Sequence, residues 1–288
     1  AATECPDARI ESGGDLLAAA ASFGLPLAIE ATHMSVAQHV RLIGLTHAAV
    51  RPTSGLVEGL RAVKDPGEVV AIRHACAIAS AALLDVVPQV HPGMTERELA
   101  MRLERRMVDL GAQDRAFPSI VAAGEHSAIP HHSPTERPLQ HGDLLKIDFG
   151  ARVDGYHSDC TRVFTIGPAA QWQRDVHAAV LAAQHAALAL VAAGAALADI
   201  DHAARTALAG QPDAFQHGLG HGVGLAVHED PFFRANADGR LGQDAVVTVE
   251  PGLYLPQRGG VRIEDTVLVT DSGYEYLTVL ATELTQIA

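Results

Sequence analysis

The stretches Lys146-Ile147-Asp148-Phe149-Gly150 and Asp154-Gly155-Tyr156-His157-Ser158-Asp159 read as two arms of a β-hairpin. Asp-Gly is a strong two-residue turn signal, and the flanking residues have strand composition. If Asp154-Gly155 closes the turn, Val153 faces Tyr156 and Asp148 faces Thr161. Asp159 lies two residues from Thr161 and so shares a face with Asp148. The two carboxylates become diagonal neighbours, with Cα atoms about 7–8 Å apart. Either Asp alone reads as an ordinary edge or loop charge. Together on one face they repel, and Asp148 sits in a mostly apolar strand where a carboxylate needs a partner. A cation between them fits.

Three further segments add polar groups. His217-Gly218-Leu219-Gly220-His221-Gly222-Val223-Gly224 leads to His228-Glu229-Asp230-Pro231. Four alternating glycines exclude a stable helix. In an extended chain His217 and His221 share a face, and the missing side chains let a ligand or another backbone approach. Glu250 ends the apolar strand Ala245–Glu250. Arg262 and Glu264 alternate with apolar residues in Val261–Thr270 and so share one strand face; alone they read as a surface ion pair. Two Asp, two Glu and one His make a hard, oxygen-rich donor set that suits Mn, Co, Fe or Zn. Charge balance prefers two divalent ions, because two cations with a bridging hydroxide leave a single net negative charge on four carboxylates.

The surrounding chain alternates in blocks. Asp65 as N-cap, Pro66 at the first helical position and Glu68 start a helix with the apolar stripe Val69, Ile72, Cys76, Ala79, Leu83 and Val86. Thr95 with Glu98 forms a second capping box before Leu99, Leu103, Met107 and Leu110, and Gly111 stops that helix. Further helices are predicted over 172–193, ending at Gly194, and 199–208. Other strands are Ser119–Ala123 and Tyr274–Leu280. Residues 1–50 are mixed, with a strand in Leu25–Ile29 and a helix in Ser35–Leu42, and Arg51–Gly55 reads as a linker. Blocks of helices followed by strands favour α+β with an antiparallel sheet over a doubly wound fold. Each half carries helices followed by strands with two carboxylates, which suggests a duplication.

The 288 residues, 48% of them apolar, support one large domain with a small attached piece. A formal charge of −13 argues against general nucleic-acid binding. No apolar run reads as long and charge-free enough to span a bilayer. Cys5, Cys76 and Cys160 have no CxxC spacing, which points to a reducing, cytoplasmic setting and no thiolate metal site. The chain starts Ala1-Ala2-Thr3-Glu4, without an initiator Met or a signal-like segment, as if entered midway.

These motifs together resemble the creatinase/aminopeptidase family of pita-bread metallopeptidases, and within it the proline-specific Xaa-Pro dipeptidases (prolidases) and aminopeptidases P. The resemblance covers about residues 55–288. It rests on Phe117–Ala122, Ile129-Pro130-His131, Ile147–Ala151, Gly155–Arg162, His217–Gly224, Val249–Gly252 and Val261–Asp265. It implies an α+β pita-bread catalytic domain at 61–288, with an antiparallel sheet, flanking helices and pseudo-twofold halves. It also implies a partial, truncated α/β N-terminal domain at 1–60.

The metal ligands implied are Asp148, Asp159, His221, Glu250 and Glu264, with Asp159 and Glu264 bridging two divalent ions, manganese first and Co, Zn or Fe as alternatives. His131 (or His132), His217 and His228 match the family's non-ligand active-site histidines, and Arg262 its arginine. The activity implied is hydrolysis of the bond preceding proline in a small peptide, by a hydroxide held between the metals. Glu250 would take up the nucleophile's proton, His228 or His131 would stabilise the oxyanion, and His217 would orient the proline-side residue. A homodimer without membrane or nucleic-acid partners is also implied. Methionine aminopeptidase and a non-catalytic peptide- or protein-binding pita-bread module are the alternatives. The first Arg after Pro231 is Arg234, two residues beyond Phe232, so the choice between dipeptidase and longer-peptide aminopeptidase stays open.

Overall fold

The structure is a computed structural model that describes residues 14–211 and 215–288. Cys5 and the first residues of the chain lie outside the described residues. The chain divides into two compact units, Ala1–Gly59 and Leu60–Ala288. In the first, α1 (Leu16–Ser22) precedes a βαβ unit: β1 (Leu27–Glu30), α2 (Val36–Leu45) and β2 (Val50–Thr53), with β1 and β2 parallel. Ser35 caps α2 and exchanges hydrogen bonds with Gln38 in a full capping box. The expected linker at Arg51–Gly55 is instead largely strand. Pro52 is tolerated because a two-stranded sheet leaves each strand a free edge, where a missing N–H costs nothing.

The second unit begins α3 (Leu56–Ala62, which straddles the division), α4 (Pro66–Val86) and α5 (Glu96–Asp109). The strands β3 (Asp114–Arg115), β4 (Ile120–Ala123), β5 (Leu144–Phe149), β6 (Ala151–Val153), β7 (Tyr156–His157) and β8 (Cys160–Ile166) follow. Then come α6 (Gln171–Leu188), α7 (Leu197–Ala207), β9 (Gly220–Gly222), β10 (Glu229–Phe233), β11 (Val246–Val249), β12 (Gly252–Leu255), β13 (Gly259–Arg262), β14 (Asp265–Thr270), β15 (Gly273–Tyr276) and β16 (Thr285–Ile287). Two helix pairs, α4 on α5 and α6 on α7, each precede their own sheet, β16-β8-β5-β4 and β10-β9-β11-β14-β15. This is the mixed α+β, two-halved pita-bread architecture. Pairing in both large sheets is antiparallel except where β16 joins β8 in parallel.

The caps explain where the helices start. Asp65 accepts from the Glu68 N–H, and Glu68 returns a bond to the Asp65 N–H, both at 2.8 Å. The other Glu68 oxygen accepts from the Tyr156 hydroxyl at 2.7 Å, tying the cap of α4 to the hairpin. Ile72, Cys76, Ala79, Leu83 and Val86 are buried, as the stripe predicts. At Thr95 only half of the expected box forms, because the Glu98 carboxylate pairs with Arg102 instead. Helix α6 ends at Leu188, short of Gly194. The backbone N–H groups of Ala193 and Gly194 bond to Thr270 and Leu241, which draws the chain out of helical geometry.

One expectation on membranes is corrected. The segment Pro66–Gln89 is long and apolar enough, by length and composition, to cross a bilayer. Half of its apolar window is buried against the protein itself, so its Ala, Ile and Leu content serves the core shared with α5, β5 and β8.

The hairpin register follows the turn. Asp154 and Gly155 have φ of 51° and 84°, the left-handed pair a two-residue hairpin turn needs. Val153 pairs with Tyr156 and Asp148 with Thr161. The strand expected over 156–166 breaks at Ser158-Asp159, because Gly150 lets the Ser158 carbonyl come so close that a Cβ would sit 1.9 Å from it. The strand expected over 261–270 likewise breaks at Ile263-Glu264, where Thr161 forms a bridge to Glu264. The first leaves Asp159 outside the ladder, and at the second Glu264 pairs with Thr161 beside β8 instead of with its own sheet. We predict that Asp65→Ala costs about 1 kcal/mol through the lost cap and Gly150→Ala about 3 kcal/mol through forced separation of two backbones. Chemical denaturation measures both, and equal costs would contradict this account.

Candidate metal centre

Six strands meet around one cavity of about 520 Å³ in the second unit. Its lining includes Asp148 from β5, Asp159 before β8, His221 from β9, Glu250 after β11, Arg262 from β13 and Glu264 before β14. His131, His132, His217, His228 and Arg234 complete its polar rim, and Phe117, Pro118, Ile120 and Phe232 give an apolar wall. All the sequence-predicted site residues therefore come together. Glycine permits the crossing, since a Cβ on Gly220 would lie 2.0 Å from the Thr248 carbonyl.

Donor atoms of Asp148, Asp159 and Glu264 all lie within 4.8 Å of one another, as do those of His221, Glu250 and Glu264, and of Asp159, His221 and His228. His221 Nε2 is 3.3 Å from Glu250 Oε1 and 3.6 Å from Asp159 Oδ2. The His221 Nδ1–H donates to the Gly222 carbonyl at 3.1 Å, so Nε2 is the nitrogen turned to the carboxylates, holding a proton against Glu250 when no cation is bound and offering a lone pair to a cation. Asp148 Oδ1, Asp159 Oδ1 and Glu264 Oε1 are buried without hydrogen-bond partners. Orphaned carboxylate oxygens at this depth are costly. Hard oxygens converging beside one free imidazole nitrogen fit divalent cations.

The electrostatics agree. Burial, then Glu264, Asp148 and Glu250, raises the Asp159 carboxyl well above its ordinary range. Burial followed by Glu250 and Asp148 does the same to Glu264. Burial also pushes Glu250 upward, but the hydrogen bond and charge of His221, with His217 and Arg262, leave it lowered overall. Arg262, only 2% exposed, is the counter-charge. It hydrogen-bonds Asp148, the Thr161 hydroxyl at 3.1 Å, the Tyr254 hydroxyl at 3.0 Å and the Pro130 carbonyl at 3.2 Å.

The histidines divide by environment. His131 is exposed on the rim, and among the described residues its ring makes no hydrogen bond. His132 is 8% exposed, and its Nε2 is committed to Glu96 at 2.9 Å. His217 donates from Nδ1 to the Gly218 carbonyl at 2.7 Å, so its Nε2 accepts from the Tyr254 hydroxyl at 2.9 Å. His228 stands edge-on to His221, ring centroids 4.3 Å apart. Burial lowers the pKa of both His217 and His228.

Sequence reasoning missed Tyr254, Thr161 and Lys146. Tyr254 links His217 to Arg262, and the Thr161 hydroxyl donates to Glu264 Oε2 at 2.7 Å. Thr161 was legible as the residue facing Asp148. Tyr254 and Lys146 carry no motif of their own, and only the fold brings them beneath the cavity.

Comparison with known proteins agrees with this geometry. Residues 70–271 match the model of metallopeptidase family M24. A Xaa-Pro dipeptidase of Pyrococcus furiosus is 39% identical over 231 residues, which is 80% of this chain and 66% of that relative's length. A solved Xaa-Pro dipeptidase from Bacillus anthracis superposes with a TM-score of 0.92 at 34% identity, covering 96% of this chain and 80% of that one. A solved X-Pro aminopeptidase from Thermotoga maritima gives 0.88 at 37% identity, covering 91% and 74%. The family is metal-dependent, and this chain carries the clustered carboxylates and imidazole that such dependence requires. From motif order, pita-bread fold and sequence match alike, the chain belongs to metallopeptidase family M24.

Proposed function

We propose that this chain hydrolyses the peptide bond preceding proline in short peptides, with two divalent cations held by Asp148, Asp159, His221, Glu250 and Glu264. The observation that carries the reading is the convergence of these five side chains, three with orphaned buried oxygens, on one cavity. The proline preference is supported by relatives named as Xaa-Pro dipeptidases and an X-Pro aminopeptidase. A site for proline also cannot require an N–H at the scissile nitrogen, and the apolar wall of Phe117, Pro118, Ile120 and Phe232 suits a ring.

When bound, the cations polarise the scissile carbonyl and lower the pKa of water. Glu250 stays ionised and accepts the proton of the attacking water on a carboxylate oxygen. His228, whose pKa partial burial lowers, donates a ring N–H to the developing oxyanion, and His131 adds a second donor from the rim. His217, its ring held between Gly218 and Tyr254, orients the proline-side residue. Arg262 hydrogen-bonds Asp148 and holds it in place. The hard donor set favours manganese, with cobalt, zinc or iron able to substitute. The buried, unpaired Cys76 and Cys160 support a reducing, cytoplasmic setting. The family resemblance supports a homodimer.

Two outcomes test this reading. Because burial and neighbouring carboxylates raise the Asp159 and Glu264 carboxyls, cation binding is expected to release protons, and affinity to fall as pH drops through their raised range. Calorimetry in buffers of different ionisation enthalpy reads the release, and metal binding without it contradicts the ligand set. Glu250→Ala lowers turnover by more than about 100-fold, beyond the usual effect of losing an outer partner. Assays of matched Xaa-Pro and Xaa-Pro-Yaa peptides decide the length preference. Arg234, exposed at the rim, leaves room for the longer substrate, so both are expected to turn over. Cleavage of neither, with an N-terminal methionine removed instead, would overturn the specificity.

A further inference from the structure

The segment Ile129–Thr135 carries His131 to the cavity rim and is fastened on both sides by buried charges. Upstream, Lys146 has no solvent exposure. Its Nζ donates to the Ile129 carbonyl at 2.8 Å and the Pro130 carbonyl at 3.4 Å, and lies 5.1 Å from the Tyr254 ring centroid. Among the described residues it forms no ion pair. Downstream, Glu96 is equally buried, and both its oxygens are saturated. Oε1 accepts from the Ala123 N–H and His126 Nδ1, each at 2.9 Å. Oε2 accepts from His132 Nε2 at 2.9 Å, the Thr135 N–H at 3.0 Å and the Thr135 hydroxyl at 2.7 Å.

This is an expensive arrangement for a loop anchor. A buried lysine amine whose hydrogen bonds go only to carbonyls is less favourable than a methionine filling the same volume, because its desolvation is not offset by an ion pair. Five hydrogen bonds on one carboxylate fix geometry more tightly than a surface loop needs. Between the two anchors His131 and Ser133 are left exposed without a side-chain hydrogen bond, and of the two His131 carries the ring that can donate into the cavity. We propose that Glu96 and Lys146 are positioning residues that hold Ile129–Thr135 so that His131 meets the substrate, while His132 serves as an anchor and not as a substrate-binding group. This rests on the role given to His131 under Proposed function.

The test is a double-mutant cycle on an Xaa-Pro substrate, with metal content measured for each protein. His131→Ala is expected to lower kcat. Glu96→Gln is expected to lower kcat about 10- to 100-fold with metal content unchanged, but less than about twofold further in the His131→Ala background, since the two changes remove one effect. Lys146→Met gives the same coupling while the melting temperature holds or rises, a split that a merely structural residue would not produce. If His131→Ala leaves kcat unchanged, the role of His131 fails. If His131→Ala lowers kcat but the anchor variants lower it equally in both backgrounds, the positioning proposal is overturned. Failure of both anchor variants to fold overturns it as well, because the charges would then serve the fold.

Discussion

Mutual repulsion among four carboxylates in one cavity is the constraint on which the rest of this structure depends. Asp148, Asp159 and Glu264 are each less than a tenth exposed, and Glu250 is only half-buried. Arg262 supplies one buried positive charge against them. That is too little to offset four ionised carboxylates, and burial with mutual repulsion raises the Asp159 and Glu264 carboxyls well above their ordinary range. The site is thus built for added positive charge, and the fold is organised to keep the acids together despite their repulsion.

The scaffold achieves this with strand interruptions instead of loops. Asp159 lies in a break just before β8, and Glu264, just before β14, bridges to Thr161 of β8, so both carboxylates are held beside the same strand. Glycines at 150 and 220 allow the backbone contacts that produce these crossings. Each half of the domain contributes cavity side chains from its own sheet and packs its own helix pair behind. Rigidity then comes from buried hydrogen bonds radiating from Arg262 through Thr161, Tyr254 and Pro130.

Much of this was legible in the chain. The Asp154-Gly155 turn set the register that places Asp148 opposite Thr161, because a two-residue turn with two left-handed residues admits one pairing. The caps at Asp65 and Thr95 located two helices, since a side-chain acceptor before an apolar stripe has few other uses. The strand breaks at 158–159 and 263–264 were not legible, because they arise from close approach between distant backbones and not from local propensity. Lys146 carried no signal of its own, because nothing local distinguishes a buried lysine from an exposed one. The apolarity of α4 was also ambiguous, because a core helix and a bilayer-spanning one share composition until tertiary packing is seen. His131 and His132 are adjacent in sequence, and only the Glu96 carboxylate separates their roles.

The most direct measurement is anomalous X-ray scattering from crystals of the protein equilibrated with manganese. Two peaks inside the cavity, one ligated by His221, with both touching Asp159 and Glu264, are the expected result. A single ion bound elsewhere, or a cavity that stays free of metal at saturating manganese, would contradict the claim that these five side chains form one cation-binding cage.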